Sequence, residues 1–146
     1  MGKDKKPFVL YKFRTMPIDT LSMASHLIPE SQVTVVGGFL RKYKLDEILQ
    51  FYNVMTGDMS VVGPRPNLFN QGSVCDARDA LGVYCVRPGI TGWSQLRMID
   101  MSYPMPLAET DADMISNLNI YVYFKCIFRT AIGRGFGDAL KVNINV

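Results

Sequence analysis

Apolar residues recur at Leu45, Ile48, Leu49, Tyr52 and Met55. This helical spacing predicts a helix over 45–55, ended by Gly57. On that helix Asp46, Gln50 and Asn53 share the flank away from the apolar stripe, with Glu47 one step round. Upstream, Phe8-Val9-Leu10-Tyr11-Lys12-Phe13-Arg14 is rich in aromatic and β-branched residues and reads as a strand. In an extended chain Val9, Tyr11 and Phe13 take one face and Leu10, Lys12 and Arg14 the other, so two cations project together. Between these elements, residues 17–32 carry Pro17, Pro29 and several Ser and read as a loop with room for one short helix. Gly37-Gly38 is expected to break the chain before a helical turn at Phe39-Leu40-Arg41-Lys42.

Val61-Val62-Gly63-Pro64-Arg65-Pro66 reads as a short apolar strand entering a stiff loop, in which two prolines flank one arginine. A surface helix is expected within 67–82, a short strand at Tyr84–Val86 and a tight turn at 88–93 that lands on Trp93. Leu107 to Ile115 reads as helix, with Glu109, Asp111 and Asp113 near its start. In 118–132 apolar residues cover nearly the whole circumference of a helix, apart from the basic pair Lys125 and Arg129. Such a helix is either buried in a core or laid on a bilayer with its cations at the headgroups, and both readings stay open. No repeat or linker divides the chain, so residues 1–146 are expected to form one domain. Its expected class is α+β: a compact, mostly helical fold with a few short strands and amphipathic helices suited to a membrane interface.

Composition narrows the picture only a little. A chain of 146 residues, 48% hydrophobic and 20% charged, can bury a core without disulfides and is not a disordered composition. The net charge of +3 is too small to argue for nucleic acid. The cations do cluster, at Lys3, Lys5, Lys6, Lys12 and Arg14 and again at Arg41, Lys42 and Lys44, which suits phosphate or anionic lipid as well as a plain solvated surface. Cys75, Cys85 and Cys126 have no metal-like spacing and read as reduced thiols. His26 alone suggests no zinc site and no triad. No run of about 18 apolar residues offers an ordinary spanning helix, and the N-terminus has no apolar stretch resembling a signal peptide.

The candidate chemistry centres on Asp46-Glu47. Acidic residues in a first helical turn are commonplace partners of the helix dipole, but here Lys12, Arg14, Arg41 and Arg65 could converge on one anionic ligand beside them. Arg65, held between prolines, could fork onto phosphate oxygens, or could equally be a loop arginine bonded to carbonyls. An aspartate among cations can serve as nucleophile or magnesium ligand. Trp93 could stack a uracil, anchor the domain at an interface or pack in the core.

Taken together, KPFVLYKFRTM (6–16), GGFLRKYKLDEILQFYNVMTGDMSVVGPRPNLFNQ (37–71), VRPGITGWSQL (86–96), and IDMSYP followed by LAETDADMI (99–115) resemble the bacterial sugar transferases. These are the monotopic phosphoglycosyl transferases that start glycan assembly on undecaprenyl phosphate. RTAIGRGFGDAL (129–140) fits one branch of that family. The resemblance implies a ping-pong reaction. Asp46 attacks the β-phosphate of a uridine diphosphate sugar, UMP leaves, and a polyprenyl phosphate takes the phosphosugar from the aspartate. It implies Mg2+ near Asp46, a role for Glu47 in orienting the dyad or deprotonating the acceptor, and phosphate contacts from Lys12, Arg41 and Arg65. It also implies the cytoplasmic face of the inner membrane and its lipid surface as the setting, with no nucleic-acid partner. Family members normally begin with an apolar re-entrant helix to which nothing here corresponds. Lys44 stands where a small hydroxyl residue often precedes Leu-Asp-Glu, and Leu96-Arg97-Met98 replaces a frequent Asn-Gly. A non-catalytic fragment that docks on a membrane or in a complex therefore remains a second reading, and a basic nucleic-acid module a third.

Overall fold

The structure is a computed structural model that describes residues 1–17 and 33–132. The expected loop over 17–32 falls, beyond Pro17, outside the described residues, as do His26 and residues 133–140 of the closing motif. Six helices and two strands are present among the described residues, the helices predominating as an α+β fold. They are α1 (Val35–Lys42), α2 (Gln50–Met55), β1 (Ser60–Val62), α3 (Gly72–Ala80), β2 (Gly89–Thr91), α4 (Trp93–Leu96), α5 (Pro104–Ser116) and α6 (Ile120–Ala131). The strands pair in parallel, Ser60 against Gly89 and Val62 against Thr91.

Gly37 and Gly38 do not break the chain; they lie inside α1. Thr34 caps this helix by accepting a hydrogen bond from the Gly37 amide at 2.9 Å and donates its hydroxyl to the Thr15 carbonyl at 3.2 Å. The absence of a side chain at Gly37 serves the approach of a second backbone, since a Cβ there would lie 2.1 Å from the Thr15 carbonyl oxygen. The helix expected over 45–55 is interrupted. Leu45–Glu47 forms a 3-10 turn, and α2 starts only at Gln50. Tyr84 to Val86 is not a strand; Val83–Cys85 forms a 3-10 turn. The turn expected at 88–93 supplies β2 and the start of α4 instead. Residues 8–14 join no sheet.

The core holds Val62, Met114 and Cys126, with Val61, Trp93, Leu96, Val122, Tyr123 and Ile127 packed around it. α6 packs one face into this core and leaves the other uncovered. Val122, Tyr123, Cys126 and Ile127 pack inward, while Ile120, Tyr121, Phe124 and Phe128 remain exposed. On the other side of α5, Leu107 and Ala108 are buried, as are Val74 and Ala77 of α3, and the two helices pack together. Cys75, Cys85 and Cys126 are free thiols. Among the described residues no helix is long and apolar enough to cross a membrane.

A polar seam runs through this second region. The buried Arg78 side chain and the Tyr84 hydroxyl both donate to Asn67 Oδ1, at 3.0 and 3.2 Å. Burial raises the Tyr84 hydroxyl from its ordinary value of 10.0 to about 12, so it remains a donor across the neutral range. Next to it, β1 and β2 continue into backbone in van der Waals contact: a Cβ on Gly89 would meet the Gly63 amide nitrogen at 2.0 Å.

Two consequences are measurable. Gly89→Ala forces the strands apart and is expected to cost about 3 kcal/mol, read as a lower urea midpoint. For Tyr84, the folded chain holds its proton above the pH at which the unfolded chain loses it. Its contribution is therefore present below pH 10.0 and lost as pH rises toward about 12. Melting temperature should fall more steeply across that window in wild type than in Tyr84→Phe; identical slopes would contradict the assignment.

Candidate active site

The 3-10 turn Leu45–Glu47 buries both of its carboxylates, with Asp46 only 2% exposed. Burying two adjacent anions costs several kcal/mol each unless cations are supplied. Lys12 Nζ lies 3.0 Å from Asp46 Oδ2, and Arg65 Nη2 donates to Glu47 Oε1 at 2.8 Å. Lys44, which directly precedes the turn, is a third cation there. Burial lowers its pKa, Glu47 opposes that shift, and Arg65 adds to it. Lys44 also adopts a left-handed conformation, φ 56°, the position where a helix usually ends on glycine. This reversal separates the turn from α1.

The helical flank that carries the acids faces inward. Asn53 is 0% exposed and Gln50 is buried, whereas Met55 is 78% exposed, and Ile48, Phe51 and Tyr52 also face outward. The polar side of this segment is the interior, and the apolar stripe is surface. Asn53 uses its burial to position Lys12. Its Oδ1 accepts from the Tyr11 amide at 3.1 Å and its Nδ2 donates to the Val9 carbonyl at 2.7 Å. One side chain thus supplies a strand-like pair of bonds to the segment expected to be a strand, and the Phe13 amide adds a bond to the Asp46 carbonyl at 3.0 Å. Lys12 lies between these anchors. Arg14, one residue beyond Phe13, is exposed.

Arg65 is placed by its loop. Pro64 and Pro66 restrict the backbone on either side, and the Pro64 carbonyl accepts from the Gly89 amide at 2.8 Å. Arg41 makes a structural bond in this fold. It is buried and its Nε donates to Thr15 Oγ1 at 2.9 Å, so it ties α1 to the segment after Lys12. Trp93 packs against the core, with the Arg97 guanidinium 4.9 Å over its ring. Of the leading lysines, Lys5 pairs with Asp79. The structure therefore brings Lys12, Arg65, Asp46 and Glu47 together and adds Lys44 and Asn53. Lys44 carries no signal beyond its charge and its place before the acids. Asn53 is one of the inward polar positions that the helical spacing marks.

Among the described residues no group of three or more His, Cys, Asp or Glu could hold a metal by itself. Magnesium asks for less, because it commonly binds through one or two carboxylates together with substrate phosphates. Asp46 Oδ2 is buried and accepts no hydrogen bond from the described residues. Lys12 lies 3.0 Å from this oxygen, and a carboxylate oxygen carries more than one lone pair, so one remains for a hard cation. The donor set fits.

These features can be set beside known proteins. The family model for bacterial sugar transferases matches residues 1–134. The chain is 43% identical over 129 residues to the uncharacterized sugar transferase EpsL of Bacillus subtilis, covering 88% of this chain and 63% of that protein. It is 36% identical over 148 residues to the UDP-glucose:undecaprenyl-phosphate glucose-1-phosphate transferase of Escherichia coli, covering 92% of this chain and 31% of that protein. A third relative is the UDP-N-acetylgalactosamine-undecaprenyl-phosphate N-acetylgalactosaminephosphotransferase of Aeromonas hydrophila, 34% identical over 146 residues, covering 94% and 34%. The chain thus spans less than two thirds of the length of each of these relatives. With the match running through the acidic pair and both of its cation partners, the chain belongs to the bacterial sugar transferase family.

Proposed function

We propose that residues 1–146 act as the catalytic domain of a transferase that moves a sugar phosphate from a uridine diphosphate sugar to undecaprenyl phosphate. The observation that carries this reading is the buried dyad, Asp46 facing Lys12 at 3.0 Å and Glu47 held by Arg65 at 2.8 Å. Transfer of a phosphoryl centre needs an in-line nucleophile and positive charge around the phosphate oxygens. Both are at hand in one turn and its neighbours.

In the proposed first step, a carboxylate oxygen of Asp46 bonds to the β-phosphorus of the donor. The bond from that phosphorus to the bridging oxygen breaks, and UMP leaves with the electron pair. In the second step, a phosphate oxygen of the acceptor attacks the same phosphorus and Asp46 departs as carboxylate. Lys12, the more exposed member of its ion pair, is open to an incoming diphosphate. Its shift toward the phosphate uncovers Asp46 Oδ2. Arg65, fixed by its loop, keeps Glu47 and a positive charge at a constant place through both steps. Magnesium, held by Asp46 and the donor diphosphate, would supply further charge neutralisation.

The proposed acceptor is a lipid, and the surface supports a membrane setting. Apolar residues stand exposed on α1 (Val35, Val36, Phe39), on the segment carrying the dyad (Ile48, Phe51, Met55) and on α6 (Phe124, Phe128). Lys125 lies over the Tyr121 ring, a cation at the edge of such a face.

The deciding assay incubates the chain with magnesium and a panel of uridine diphosphate sugars, without acceptor, in membrane vesicles. One UMP per protein is expected to appear, EDTA should remove the burst, and Asp46→Asn should reduce it to background in a protein whose circular dichroism still shows the fold. A fully active Asp46→Asn protein would sink the mechanism. Sedimentation with anionic vesicles tests the surface. Replacing Phe124 and Phe128 by Ser should lower the bound fraction at least several-fold, given about 1.5–3 kcal/mol for burying each ring. A non-catalytic docking fragment would bind vesicles and give no burst in any form.

A further inference from the structure

A second buried ion pair lies behind the proposed site, and the reaction as written makes no use of it. Arg78 of α3 is 1% exposed and Asp111 of α5 is 0% exposed. Arg78 Nη2 donates to Asp111 Oδ2 at 2.7 Å, and the Ser94 hydroxyl donates to the other carboxylate oxygen. Burial pushes the Asp111 carboxyl up, against the pull of Arg78 and the Ser94 hydroxyl. A pair so deeply desolvated is a poor source of stability, and similar volumes of apolar side chain would often serve the fold as well or better.

The other end of the guanidinium points to a use. Arg78 Nη1 donates to the Arg65 carbonyl at 2.7 Å and to Asn67 Oδ1 at 3.0 Å. These acceptors lie on either side of Pro66. Tyr84 donates to the same Asn67 oxygen. A planar, forked cation can satisfy this geometry, and an ammonium cannot reach both ends.

We propose that Arg78, oriented by Asp111 and Ser94, is a positioning residue that holds the Pro64-Arg65-Pro66 backbone so that the Arg65 guanidinium meets Glu47. Arg78 touches no reacting atom; it acts through the Arg65 carbonyl. The catalytic consequence rests on the functional reading above, while the positioning itself does not.

Two readouts separate these levels, both made on the full chain in lipid nanodiscs. The first is NMR of the arginine guanidinium groups. Arg65 is expected to show slow rotation in wild type and fast rotation in Arg78→Lys. Asn67→Ala, which removes one Nη1 acceptor and leaves the buried ion pair intact, should also loosen Arg65 and stands in if Arg78→Lys does not fold. Unchanged Arg65 rotation in the folded variants overturns the proposal. The second readout is transfer kinetics. Arg78→Lys should lower kcat about tenfold or more with little change in KM, and should add less than about twofold in an Arg65→Lys background. Losses that multiply in the double variant would show that Arg78 acts independently of Arg65 and would overturn the proposal. If wild type itself transfers nothing, the functional reading fails, and the guanidinium rotation still decides the positioning.

Discussion

Two carboxylates side by side in the interior are the constraint around which this domain is arranged. Neither can be buried alone, since the desolvation of each costs several kcal/mol. The fold answers with one cation apiece from chain segments far apart in sequence: Lys12 from the N-terminal stretch, Arg65 from the loop after β1. Each of those cations then has to be held. Asn53 holds the first by completing the backbone hydrogen bonds of residues 9 and 11. The proline-flanked loop, its bond to Gly89 and the Arg78 fork hold the second. Much of the buried polar content of the protein is therefore a consequence of placing Asp46 and Glu47 where they are.

The same constraint turns the dyad segment inside out. A short amphipathic helix on a soluble protein usually hides its apolar stripe. Here Gln50 and Asn53 go inward with the acids, and Ile48, Phe51, Tyr52 and Met55 are left outside. α1 and α6 also present aromatic and aliphatic side chains to the outside. The lipid substrate and lipid surface proposed above would give that arrangement a reason, because the face that is a defect in water would then be the face that meets the acceptor.

Several of these features were legible in the sequence, and the gaps have physical causes. The spacing of Leu45, Ile48, Leu49, Tyr52 and Met55 correctly separates an apolar from a polar flank, but periodicity does not say which flank is buried. It also does not reveal that Leu45–Glu47 is a 3-10 turn ahead of α2, because both helix types place apolar residues three positions apart on one side. The glycine pair 37–38 reads as punctuation, yet Gly37 is required for close approach of Thr15 within a continuous helix. The convergence of Lys12 and Arg65 on the acids was expected. That Arg41 bonds Thr15 depends on a tertiary contact 26 residues away in sequence, beyond the reach of local pattern. Asn53 and Arg78 belong to the same class, since their importance lies in whose backbone they bond.

The two cations are held differently, and the difference suits a two-step transfer. Lys12 is an ammonium on a flexible stem, 3.0 Å from Asp46 Oδ2, an oxygen of the proposed nucleophile. It can move between the carboxylate and a phosphate with little rearrangement, because an ammonium makes few geometric demands. Arg65 is a planar fork anchored through its backbone on both sides, bonded to Glu47 with ordinary hydrogen-bond geometry. A mobile charge is useful where the partner alternates between free carboxylate and phosphoryl ester. A fixed charge is useful where the field must stay the same while donor and acceptor succeed each other. Exchanging the two residue types would reverse that division, leaving a rigid cation clamped on the nucleophile and a loose one beside Glu47. Under the proposed mechanism, the assignment of lysine to Asp46 and arginine to Glu47 is part of the chemistry and not an arbitrary choice of positive charge.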